Sequence, residues 1–219
     1  MANSGHIKWI ALGALTGFGS SFIFGDLLNL PIDLYYLIHF GIILIFFSVY
    51  IKKTNLDIKE WISRKWGWSI LLGLLFGALM IQKVLSEPAT ERFAGAYWVW
   101  LIFWRGMVYG VMDGLLLSSF PMIVTWRAFD VDKKPLGKKI VFGFLAWLFI
   151  LLVTTAYHVG YADFRSKKII QPNIGNALIS FPTLVTANPI GSPITHAIMH
   201  IAAVIHSPKT ELFLPPHRE

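Results

Sequence analysis

The chain has 219 residues, of which 55% are apolar and 14% charged, with a formal net charge of +7 and no cysteine. A soluble domain carries about a quarter charged residues, so this composition indicates a chain embedded in lipid. The missing cysteines exclude disulfides, thiolate nucleophiles, iron–sulfur clusters and thiolate-held zinc. The lysines and arginines fall in short loops between apolar runs rather than on a basic, aromatic-lined face, which argues against nucleic acid as a partner.

Apolar runs over about 9–28 and 34–51 predict two membrane helices. The first holds Gly13, Gly17 and Gly19 and is followed by no small-x-small cleavage site. It is therefore expected to be a retained span rather than a removed signal. The connector 52–65 carries Lys52, Lys53, Lys59, Arg64 and Lys65 and predicts a short interfacial helix with Trp61 dipping into the membrane. Further spans are expected over 66–81, 97–126 and 140–157, with Trp66, Trp68, Tyr97, Trp98, Trp100 and Trp126 as interfacial anchors. A second basic connector holds Arg127, Lys133, Lys134, Lys138 and Lys139. Both basic connectors should be cytoplasmic, which puts the N-terminus inside a plasma or bacterial-type inner membrane.

The run 97–126 is too long to stand upright in a bilayer and holds two charges. Arg105, Tyr109 and Asp113 follow one another at intervals of four and predict one polar stripe. Each charge would cost about 3 kcal/mol or more if left in hydrocarbon, so both should face protein or water. Gly106, Gly110 and Gly114 run beside them, and Gly13 with Gly17 and Gly73 with Gly77 repeat the spacing. Such faces let helices approach backbone to backbone, within the chain or in a homo- or hetero-oligomer.

The region 174–206 is apolar but broken by Pro182, Pro189 and Pro193, with a helix-breaking knot at 188–193. As one helix it would be about 50 Å long, too much for a single span. Either it crosses once and then lies on the surface, or two half-helices meet at the knot and the chain turns back. In the second case Ser192 should cap the second half, with Pro193 at its first position.

His196 and His200 lie one turn apart beyond the break, the spacing two imidazoles need to reach one metal ion. His158 and Asp163 are the expected further ligands, with His39 and Asp113 as others. No glutamate stands between the two histidines as in a zincin, and P-loop, dinucleotide-binding and nucleophile-elbow motifs are absent. A divalent metal, a heme held between two histidines, and purely hydrogen-bonded histidines all stay open. The metal reading requires the hairpin, because only the hairpin returns His200 toward His158.

The expected protein is thus all-α and polytopic, a single helical domain with about six membrane segments, the last broken. Its leading functional reading is an intramembrane, metal-assisted enzyme acting on a lipid or other apolar substrate. In that reading Asp113, Arg105 and Tyr109 act in catalysis, Asn188 and Ser192 bind substrate, and His196, His200, His158 and Asp163 hold metal. The alternatives are a small transporter component, with the half-helix ends facing an ion, and a scaffolding subunit of a membrane complex.

Overall fold

The computed structural model describes residues 4–210 and 212–216, and all its regular elements are helical. Helix α1 (Ser4–Ser20) runs on into a π-helical turn, Ser21–Leu27, and α2 spans Ile32–Thr54. The short α3 (Ile58–Ser63) is capped by Asp57, whose carboxylate accepts from the Glu60 amide at 3.1 Å. Its Trp61, expected to dip into the membrane, is instead buried against the protein's own core, with the Arg64 guanidinium 3.9 Å above the ring. Helix α4 covers Trp66–Leu85 and α6 covers Leu136–Val159. Between them lies the longest helix, α5 (Gly95–Ala128), 34 residues and apolar but for a few side chains, Arg105 and Asp113 among them.

Five helices are long and apolar enough to cross a membrane, so the chain is an all-α membrane-type fold. Two stretches of α5, Ile102–Val108 and Leu115–Ser119, are wound as π-helix, and they flank the turn Tyr109–Gly114 that carries Asp113. Such widened turns collect at functional sites because each rotates the following side chains off the regular helical face.

The broken C-terminal region forms a hairpin. Its descending limb is α7 (Ile170–Ile179) and α8 (Phe181–Thr186), nearly collinear across Ser180. Ala187 ends α8 in the left-handed region at φ 51°, and the ascending limb α9 runs over Gly191–His206. At the turn, Asn188 Nδ2 donates to the carbonyls of Ile62 (2.8 Å) and Arg64, while Oδ1 accepts from the Ile190 amide at 2.9 Å. At the far end, His206 Nε2 donates to the Glu87 carbonyl at 2.9 Å. Each limb therefore runs the height of the bundle, about 25 Å at helical rise. The segment expected to be surface-lying or re-entrant is a pair of full-height helices. Ser192 does not cap α9, because the helix already begins at Gly191.

The two basic connectors share one face. Arg64 pairs with Asp132 at 2.9 Å, and Arg127 donates to the Thr54 hydroxyl at 2.8 Å. On the opposite face, Arg165 pairs with Asp26 at 2.8 Å and joins the 26–33 and 160–165 loops.

The glycine faces explain how α9 is seated. A Cβ on Gly114 would lie 2.5 Å from Pro193 Cα, and one on Gly110 would lie 2.7 Å from Ala197 Cα. Opposite them, a Cβ on Gly73 would fall 2.8 Å from the Gly191 carbonyl oxygen, and one on Gly77 2.5 Å from Ile198 Cδ1. Helix α9 is thus clasped between α4 and α5, closer than any larger residue permits. These glycine faces meet helices of the same chain.

Candidate metal centre

The clasp brings three residues from two helices together. Asp113, His196 and His200 each offer a ligand atom, all within 4.8 Å of one another, and all three residues are buried. His200 Nε2 lies 3.6 Å from Asp113 Oδ2. From α2, the fully buried His39 brings Nε2 to 3.8 Å from Asp113 Oδ1. Charge-assisted hydrogen bonds would close to about 2.8 Å. Two donors sharing a tetrahedral ion at about 2.1 Å stand roughly 3.4 Å apart, which the observed spacings approach.

The hydrogen bonding around the cluster fixes which atoms face inward. His196 Nε2 meets Asn176 Oδ1 at 2.9 Å, and that oxygen can only accept, so Nε2 carries the proton and Nδ1 keeps its lone pair. Asn176 is held by Ser118, which donates to Oδ1 at 3.0 Å, and donates from Nδ2 to the Thr154 hydroxyl. Ser20 gives its proton to the Gly17 carbonyl at 2.9 Å and takes the Nδ1 proton of His39 at 3.0 Å, so His39 presents Nε2 as an acceptor. Four atoms of the cluster have no hydrogen-bond partner: His39 Nε2, Asp113 Oδ1, His196 Nδ1 and His200 Nδ1. Buried polar atoms without partners are costly, and of the two ring nitrogens of His200 it is Nε2 that faces the carboxylate.

Tyrosines form the adjoining wall. The Tyr157 hydroxyl bonds to those of Tyr35 (3.1 Å), Tyr161 (3.0 Å) and Tyr109, and Tyr161 donates to Tyr35 at 2.6 Å. The Tyr109 ring stacks on Tyr36 at 3.7 Å and meets His200 edge-on at 5.3 Å.

The expected site residues separate accordingly. Asp113, His196, His200, His158 and Tyr109 line one cavity. His158 stands on its wall outside the three-residue cluster, with Nδ1 donating to the Thr154 carbonyl at 2.8 Å. Asp163 is exposed on the connector beyond α6 and does not line this cavity, although its neighbours Tyr161 and Phe164 do. Arg105 does not reach Asp113 through Tyr109. It makes a two-pronged pair with Asp33, Nε to Oδ1 at 2.8 Å and Nη2 to Oδ2 at 2.9 Å, with Tyr97 at 3.5 Å. Asn188 is consumed in holding the hairpin turn, and the Ser192 amide donates to the Thr183 hydroxyl at 2.9 Å. Neither lines the cavity. Asn176, Ser20, Tyr35, Tyr157 and Tyr161 carried no local signal in the sequence, since each acts only through helices distant along the chain. No family model, curated protein or solved structure matches this chain.

Proposed function

We propose that the cluster is a divalent metal site and that the protein is a metal-dependent intramembrane hydrolase. The observation that carries this reading is the buried grouping of Asp113, His196 and His200, whose ligand atoms lie within 4.8 Å of one another, with His39 Nε2 3.8 Å from Asp113 Oδ1 and neither of those two atoms hydrogen-bonded. Imidazole nitrogen with a single carboxylate suits zinc or another first-row ion better than calcium or magnesium, which prefer oxygen. Asp113, His196 and His200 would hold the ion, with His39 as a fourth donor. A heme between the two histidines fits poorly: both rings project from one face of α9, 6.1 Å apart and inclined at 18°, and so cannot take opposite sides of a porphyrin.

The ion would supply Lewis acidity, activating water and polarising a carbonyl. The chain's own groups complete the requirement. Asn176 and Ser20 hold two imidazoles in the tautomers that turn lone pairs inward, the role of outer hydrogen bonds in metal sites. The Tyr157 and Tyr109 hydroxyls provide donors at the edge of the same cavity, where negative charge on a carbonyl oxygen would be stabilised. His158, on the cavity wall, is placed to accept or return a proton. In hydrolysis, water adds to the carbonyl carbon, the carbon–oxygen or carbon–nitrogen bond breaks, and the leaving atom takes a proton.

The test uses the full chain in lipid nanodiscs, supplied with ester- and amide-linked lipids and followed by mass spectrometry. Release of a carboxylic acid that ceases on chelation, returns with zinc and is absent in Asp113→Asn supports the reading. Stoichiometric metal with no hydrolysis across both linkages would overturn the hydrolase assignment and favour metal handling.

A further inference from the structure

The cavity that ends on the cluster has a volume of about 490 Å³, in the usual range for sites that enclose a small organic molecule. Its inner end is polar, with Asp113, Asn176, His196 and His200, and its length is lined by aliphatic and aromatic side chains. What closes it differs from side to side. Toward the loops opposite the basic face, the C-terminal segment folds across it, with Phe213 and Leu214 buried. That segment is tied down where the Lys209 amide donates to the Thr90 hydroxyl at 3.1 Å.

Toward the membrane the lining is open. Leu79 on α4 and Ile174 and Leu178 on α7 belong to the cavity wall, yet they are 53%, 60% and 52% exposed. One turn nearer the basic face, Phe76 and Phe181 stack at 5.9 Å and close the gap between the same helices. The slot therefore faces hydrocarbon, in the half of the bundle away from the basic loops. A molecule that enters there arrives from the lipid phase. It must satisfy apolar walls along its length and offer a polar group at the inner end.

We infer that this cavity takes the acyl chain of a membrane amphiphile, which enters between α4 and α7 and lays its ester or amide linkage beside Asp113, His196 and His200. The inference names the substrate class of the proposed hydrolase and rests on that reading, but chain binding and metal binding are measured separately.

The probe is phosphatidylcholine with a photoreactive diazirine at the end of one acyl chain, incorporated in nanodiscs with the full chain. After irradiation, the expected adducts lie inside the cavity, on Ile179 and Met199. The double variant Ile174→Trp/Leu178→Trp should lower those adducts roughly tenfold by filling the slot, with metal content unchanged. Leu79→Trp narrows the slot from the other side and should act in the same direction, which guards against a folding defect peculiar to α7. Adducts confined to outward-facing positions such as Leu148 and Leu152 on α6, or cavity adducts indifferent to all three tryptophans, would overturn the inference. Cavity adducts in a protein that holds no metal would sustain chain binding and overturn the hydrolase reading instead.

Discussion

Two polar groups interrupt the apolar interior of this bundle, and they are built in opposite ways. Arg105 and Asp33 form a closed pair, two parallel hydrogen bonds at 2.8 and 2.9 Å, with the aspartate side chain 39% exposed at the end of α2. Every strong demand of that arginine is met by protein. Asp113, His39, His196 and His200 are as deeply buried, but their nearest charge-bearing atoms stand 3.6 and 3.8 Å apart and four atoms have no partner. A satisfied ion pair in a membrane fixes helix order. An unsatisfied set leaves part of the cost of burial unmet by the protein itself. Both involve charges eight residues apart on one helix, so charge inside a span does not by itself distinguish structure from function.

The sharpest way to break the comparison is to remove metal. Ion at a thousandfold its dissociation constant adds about 4 kcal/mol to stability. Chelation should therefore lower the thermal midpoint by roughly 10 °C, read by a fluorescence melt in detergent. An Arg105→Met protein should show the reverse pattern. It should lose about 1 kcal/mol, since the half-exposed Asp33 regains water, yet keep its metal. In metal-free conditions Asp113→Asn should equal or exceed the wild type by about 1 kcal/mol, since an unpaired buried carboxylate has been removed. A large loss there would mean that Asp113 is structural, like Arg105.

Next in size, Gly110→Ala and Gly114→Ala should cost about 2 kcal/mol each and weaken metal retention, because the added methyl meets α9 backbone. Gly19→Ala, whose added Cβ meets nothing within 4 Å, should change neither in the same melts. Asn176→Ala should leave the fold intact and weaken metal affinity by 10- to 100-fold, the usual effect of losing a partner that orients a ligand. A competition titration with a zinc chelator measures it. The smallest effect belongs to His158→Ala and Asp163→Ala, in which metal stoichiometry should remain that of the wild type.

The parts of this architecture written locally were legible in the sequence. Continuous apolar runs marked the long helices, the proline–glycine knot at 188–193 marked the hairpin turn, and the one-turn spacing of His196 and His200 marked a shared face. Asp113 stood out because a carboxylate within an apolar run demands a partner. The stripe of Arg105, Tyr109 and Asp113 holds only in part: Tyr109 and Asp113 share a regular turn and line one cavity, while the π-helical turn at Ile102–Val108 shifts the register of Arg105. Arg105 thereby turns to Asp33, while Tyr109 faces Tyr157 and Asp113 the histidines. His39 stood only as one candidate ligand among several, and Asn176 and Ser20 were hidden, for a different reason. Their roles depend on how helices distant along the chain pack together, and a single sequence without that packing does not rank one buried histidine above another. His158 and Asp163 were placed together by proximity in the chain, but α6 ends between them, leaving one on the cavity wall and the other in solvent.

In the proposed site, His196, His200 and Asp113 hold a metal ion. The most direct measurement is elemental analysis of the detergent-purified full chain beside a His196→Ala/His200→Ala variant, both after equilibration with zinc and removal of free ion. One ion per chain in the wild type and none in the variant is the expected result. Equal metal in the two proteins, or none in either, would contradict a metal site at these residues.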